Sequence, residues 1–214
     1  MQRWFCDRGM PCVIAGSRHP GIDLPCVDGA YRAICRHAAG QFLARGHVGL
    51  ILLNPESGSA GELESEAGFN EALAQTGHAD VQASVVHHDE TVAQIRRKVD
   101  ALLRQERPPT AFLVSRASNV LPVMGHLMSR GLRLPKDVAL ISRDHEPYLE
   151  RVLPSVARYI ISPSAMANMM AKAVLKALQG RMPTPADGHI MPEFTQGDTL
   201  GPGPIPAPVL PTLV

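Results

Sequence analysis

Apolar positions in this chain repeat with two periods. Thr110 to Val114, Val138 to Ile141 and Val48 to Leu53 are short, continuous apolar runs bounded by turn residues, the pattern of strands buried on both faces. Gln82 to Val86 reads as a further strand, and Pro11 to Ala15, residues 25–28 and residues 189–191 as shorter ones. Between the runs the spacing becomes helical. Ala30 to Arg45 puts Tyr31, Ile34, Cys35, Ala38, Ala39, Phe42 and Leu43 on one face. Thr91 to Gln105 does the same with Val92, Ile95, Val99, Leu102 and Leu103, and Asp89 is its predicted N-cap. Ala117 to Arg130 follows with Val120, Met124, Leu127 and Met128.

Glu62 to Thr76 predicts a helix that is acidic in its first turn, as the macrodipole favours, with Ala67, Leu73 and Ala74 inward. Ser162-Pro163 is a cap followed by first-turn proline; it opens a helix to Gln179 whose inward stripe is Met166, Met169, Met170, Ala173, Val174, Ala177 and Leu178. Residues 1–9 read as the end of an amphipathic helix with Trp4 and Phe5 on its apolar side. Helices stop at or near Gly46, Gly77, Gly131 and Gly180. Strand and helix alternate with short loops from Ala30 to Tyr159, which predicts an α/β fold with a parallel sheet.

In such a sheet, ligands bind beyond the carboxyl ends of the strands. There the sequence places Ser115-Arg116 after one run, Ser142-Arg143-Asp144-His145 after the next, and Asn54, Glu56 and Ser57 after a third. Arginine offers a rigid fork of donors and aspartate a pair of acceptors, a combination that holds a polyhydroxylated or anionic small molecule. The same residues could equally pair among themselves in solvated loops. His87 and His88 end a strand that points the same way.

Composition narrows the classes. The 214 residues carry a formal net charge of +1, so no global field favours nucleic acid or a membrane surface. No apolar run approaches the ~20 residues that cross a bilayer, and the start has no signal-peptide pattern, so a cytoplasmic protein is expected. Cys6, Cys12, Cys26 and Cys35 fit no metal-ligand spacing and are expected as reduced thiols, several of them buried. From Gly201 on, proline recurs too often for a sheet interior, which predicts an extended, mobile tail.

Several ordered motifs are shared with a known family. Thr110-Ala111, Gly131-Leu132, Pro135, Asp137-Val138, Asp144 and Pro154-Ser155, with an upstream block of Asp28 to Leu53 and Gly68-Phe69-Asn70-Glu71-Ala72-Leu73, resemble the effector-binding core of LacI/GalR-type transcription regulators. The resemblance runs from about Met10 to Thr199 and implies a parallel-sheet, periplasmic-binding-protein-like fold of type I with two lobes. Residues 1–28 would be a remnant of the first lobe, 29–160 a nearly complete second lobe, 161–200 a return to the first lobe and closing segment, and 201–214 the tail. The chain would then begin after the family's helix-turn-helix and the first half of its first lobe, leaving apolar faces of the first lobe exposed.

By the same resemblance, Asp144 stands on the family's effector-contacting Asp. Arg116 stands where an Asn is usual, and Arg143 and Ser142 where an aromatic or apolar residue and a Gly are usual; Ser65 and Glu66 occupy the region of an expected Arg. The expected ligand contacts are Asp144, Arg116, Arg143, Ser115, Asn54 and Ser57. A small effector, a sugar or related metabolite, is implied, with a homodimer, DNA contact only through a helix-turn-helix head, and no cofactor. The alternatives are a solute-binding protein of the same fold, a non-functional fragment, or an enzyme using Ser115, His126 or His145 with Asp144. Against the last, no nucleophile elbow or phosphate-binding glycine motif sits at a strand-to-helix turn.

Overall fold

The computed structural model describes residues 1–75, 77, 80–180 and 188–203. Two sheets organise it. The larger is built from β3 (Gly49–Pro55), β4 (Gln82–His88), β5 (Ala111–Val114), β6 (Ala139–Ser142), β7 (Ala157–Ile160) and β9 (Glu193–Thr195), in the order β4-β3-β5-β6-β7-β9. All neighbours are parallel except β7 and β9. The smaller has β1 (Ile14–Ala15), β2 (Cys26–Gly29) and β8 (His189–Ile190), in the order β1-β2-β8 and parallel.

Helices cover both faces of the large sheet, as continuous apolar strands require. On one side α2 (Tyr31–Leu43) and α3 (Ala60–Gln75) pack Ile34, Phe42 and Phe69 onto Leu50, Leu52 and Leu113. On the other α4 (Val92–Leu103) and α5 (Ala117–Ser129) pack Ile95, Val99, Val120 and Leu127 onto Ile51, Phe112 and Leu140. The alternation of strand residues between these two clusters is the two-residue period of an extended chain. The α/β, parallel-sheet expectation holds.

Several local expectations change. Thr91, not Asp89, caps α4: its side chain accepts from Gln94 N, while Asp89 accepts from Thr91 N and Oγ1. The first helix, α1 (Gln2–Asp7), buries none of its residues, and Trp4 lies under the Arg8 guanidinium. The long helix α6 (Pro163–Leu178) is capped by Ser162 as expected, but of its predicted inward stripe only Ala173 is buried; Val174 and Leu178 are exposed. Sixteen residues of helix span about 24 Å, and strands of two to four residues span no more than about 14 Å, so α6 outruns the sheet it packs on.

The end of α3 predicted at Thr76 and most of the tail, residues 204–214, fall outside the described residues. Gly201 and Gly203, which open that tail, are held: His47 Nε2 donates to Gly201 O at 3.1 Å, and Gly203 N donates to Arg45 O at 2.7 Å. All four cysteines are free thiols, Cys26 and Cys35 buried. Among the described residues no helix is long and apolar enough to cross a membrane.

Candidate functional site

The chain passes between the two sheets at three points: from β2 into α2, from β7 into α6, and from β8 into β9. Between the sheets, at their strands' carboxyl ends, lies a cleft of about 900 Å³. The large lobe contributes Tyr31, Glu62, Arg116, Arg143 and Asp144; the small lobe contributes Asp28 and an apolar wall of Pro163, Met166 and Met170. Parallel strands ending side by side deliver the polar groups: β5 leads into Arg116, β6 into Arg143 and Asp144, and β2 carries Asp28 one residue before its end.

Arg143 is nearly buried, with 5 % of its side chain exposed, and every arm of its fork is used. Nε and Nη2 donate to the two carboxylate oxygens of Asp144, both at 3.0 Å, and Nη1 donates to Ser65 Oγ at 2.8 Å. Its guanidinium lies 4.3 Å over the Tyr31 ring. Burial works against that charge, but Asp144 outweighs burial and raises the Arg143 pKa. Arg143 is therefore the brace that fixes Asp144, and each Asp144 oxygen keeps lone-pair capacity for a ligand. Gly61 lets Tyr31 sit this deep, since a Cβ there would stand 3.1 Å from the ring.

Arg116 is half-exposed and shared between two carboxylates. Nη2 donates to Glu62 Oε1 at 2.6 Å, and Nε lies 3.3 Å from Glu90 Oε1. Glu62 lies in the first turn of α3, as expected, and is buried there. Burial would raise its carboxyl pKa, but hydrogen bonds from Ser57, Arg116 and Ser59 prevail and hold it below the usual range. Asp28 is also buried and takes its hydrogen bonds from Ser17 Oγ and Gly29 N. Tyr31 stays a neutral phenol: burial first, then the carboxylates of Asp144 and Asp28, push it up to about 12.

Of the residues singled out from the sequence, Asp144, Arg116 and Arg143 line the cleft together. Ser115 and Asn54 are fully buried behind it: Ser115 Oγ donates to Asn54 Oδ1 at 2.6 Å, and Asn54 Nδ2 to Glu66 Oε1 at 2.7 Å. Ser57 is exposed, lies outside the lining and bonds to Glu62. His87 bonds Glu66, and His88 is buried with Nδ1 accepting from Glu90 N; neither lines the cleft. Ser115, His126 and His145 bond Asn54, Asp100 and Arg158 respectively, so they form no nucleophile-base pair with one another.

Sequence reasoning passed over Asp28, Tyr31 and Glu62. The rule that picked Arg116 and Asp144, polarity at a strand's carboxyl end, also picks Asp28 once it is applied to β2. Tyr31 and Glu62 carry helical-face signals that give no hint of a cleft.

The periplasmic binding protein-like domain family matches residues 39–200. The chain belongs to that family. Over 155 residues it is 25 % identical to catabolite control protein A of Priestia megaterium, covering 71 % of this chain and 46 % of the relative, so it spans about half that protein's length. A LacI family transcriptional regulator from Bifidobacterium animalis subsp. lactis superposes with a TM-score of 0.81 at 17 % identity, over 94 % of this chain and 73 % of that one. A sugar-binding LacI-family regulator from Escherichia coli, solved with phosphate, gives 0.72 at 19 % identity, over 88 % and 67 %. The periplasmic binding protein-like fold is thus shared with LacI-family regulators, as the motifs around Gly131, Asp137 and Asp144 implied.

Proposed function

We propose that this chain is the effector-sensing part of a LacI-type transcription regulator and that its cleft takes a sugar or related polyhydroxylated metabolite. The carrying observation is the cleft itself: about 900 Å³ at the strand ends of two lobes, within the range of small-molecule sites, with Asp144 locked by Arg143 at its wall. The sugar-binding regulator of the same fold supports the ligand class. Three strand-free crossings between the sheets suit a hinge, so a ligand touching both lobes favours the closed state. In the whole protein that shift would change DNA affinity through a separate DNA-binding segment, in a homodimer.

No catalysis is assigned, because Arg143 is committed to Asp144, Arg116 to Glu62, and the candidate nucleophile Ser115 is fully buried. Titration calorimetry against a panel of hexoses and pentoses tests the role. The expected result is saturable binding, weakened about tenfold or more by Asp144→Asn through loss of a charged acceptor, with the ligand recovered unchanged by mass spectrometry. Turnover of the ligand, or binding indifferent to Asp144→Asn, would contradict it.

A further inference from the structure

The charges around the cleft do not cancel. Arg143 is committed to Asp144, and Arg116 is shared between Glu62 and Glu90. Three carboxylates, Asp28, Glu62 and Asp144, therefore line the cleft against two guanidiniums. Asp28 is the one without a counter-charge: it is 6 % exposed, its donors are all neutral, namely Ser17 Oγ, Gly29 N and the Tyr31 phenol, and among the described residues no cationic nitrogen lies within 4 Å of it. A buried carboxylate held only by neutral donors is costly unless a counter-charge arrives. It lines the small-lobe side of the cleft, facing an interior otherwise edged by Tyr31, Arg116 and Asp144.

A metal ion does not fit that role. Among the described residues no three acidic, histidine or cysteine side chains lie close enough together to hold one. The acceptors are spread along the wall instead, which suits a molecule the size of the cleft. Arg116 donates to Glu62 through Nη2 and only approaches Glu90 with Nε, which has no hydrogen-bond partner, leaving the N–H groups of Nη1 to donate, while Asp144 keeps accepting capacity on both oxygens. Pro163, Met166 and Met170 add an apolar surface for a carbon skeleton.

We propose that the cleft selects an organic cation: a small polyhydroxylated amine whose ammonium group sits against Asp28 while its hydroxyls donate to Asp144 and accept from Arg116. This rests on the sensing role above and narrows its ligand class. An ammonium supplies three donors and the missing positive charge, and its contact with Asp28 bridges the small lobe to the large one. A neutral sugar of the same shape leaves Asp28 without a counter-charge, and a sugar acid brings a further negative charge beside it.

The test is a matched series measured by titration calorimetry on the whole chain at pH 7: glucosamine, galactosamine and mannosamine against glucose, galactose and mannose, and against glucuronate and galacturonate. The best amine is expected to bind at least tenfold more tightly than its neutral counterpart, and glucuronate and galacturonate to bind least. Asp28→Asn should erase that preference, weakening the amine about thirtyfold or more while leaving the neutral sugar nearly unchanged. Ser17→Ala, which keeps the Asp28 charge and removes one of its donors, should retain the preference and guards against a misfolded Asp28 variant.

Tightest binding by a neutral or acidic sugar would overturn the cation proposal and leave the sensing role standing, as would an amine preference that survives Asp28→Asn. Binding by none of the compounds would overturn both.

Discussion

Arg143 shows how one side chain can shape a site without being its contact. It has 5 % exposure, two bonds to Asp144, one to Ser65 and a stacked tyrosine ring. Removing it strands a charge and opens space beside Tyr31, so Arg143→Ala is expected to cost on the order of 3 kcal/mol in urea unfolding. Arg143→Lys keeps the charge but cannot form the fork, and should recover only part of that loss. Arg133→Ala is the contrast: its bidentate partner Asp137 is four residues away on an exposed turn, where solvent screens the pair, and the change should cost far less than Arg143→Ala. A pair of equal losses would mean that burial of the Arg143 pair carries no extra weight. At this scale the sequence revealed that polar residues crowd the strand ends, but not which arginine stays half-exposed at the cleft and which is buried against its neighbour. Both sit one or two residues beyond a strand in identical local patterns; only the position of Ser65 and Tyr31, far away in sequence, separates them.

At the scale of elements, apolar runs and helical spacing placed β3 to β6 and α2 to α5, because each is decided by its own burial pattern, while β7 and β9 were not foreseen. What escaped was contact between distant pieces. Gly68 in the Gly-Phe-Asn-Glu-Ala-Leu motif is needed because α3 crosses α2 there: a Cβ would fall 2.0 Å from Arg32 O. Gly68→Ala should force the helices apart and cost about 2–3 kcal/mol, read from the unfolding midpoint; an unchanged midpoint would mean that α2 and α3 are free to separate. Thr199 is a second such piece. Fully buried, it lies between the neighbouring strands β6 and β7: its Oγ1 donates to Leu140 O at 2.7 Å and accepts from Ala157 N at 3.0 Å, while its own carbonyl takes Leu140 N. Thr199→Val keeps the shape and removes both hydroxyl bonds, leaving Ala157 N buried and unpaired, for an expected loss of about 1–3 kcal/mol. Nothing in a coil segment after β9 advertises that role, since it depends on strands some forty to sixty residues earlier. The stripe on α6 failed for the opposite reason: its periodicity is real, but the three short strands beneath it are too short to cover it.

Across the whole molecule, three histidines couple stability to pH in one direction. His37, His47 and His88 all have pKa values lowered from the ordinary imidazole value, in each case chiefly by burial. They sit in different parts of the large lobe: His37 Nδ1 bonds Tyr159 Oη at 2.6 Å, His47 accepts from Thr110 while donating to Gly201 O, and His88 accepts from Glu90 N. Above about pH 6.5 the rings are neutral in both states and cost nothing. As pH falls through that value the unfolded chain takes up protons that the folded chain refuses, so stability is lost until the folded rings protonate in their turn. A second fall belongs to Asp100, whose carboxyl is held at about 2 by hydrogen bonds from Arg130 and then His126; its contribution is present above about pH 4 and is lost as pH drops toward 2. The thermal midpoint at fixed ionic strength should therefore be flat above about pH 7, begin to decline as pH falls below about 6.5, and decline again below about 4. His47→Gln, which keeps a donor for Gly201 O but cannot titrate, should make the first decline shallower without touching the second. A midpoint that rises from pH 7 to pH 5.5 would show that the folded chain binds the extra protons, and would place the rings of His47 and His88 in contact with water or carboxylates rather than in the interior where they are buried; His37 is exposed and adds least.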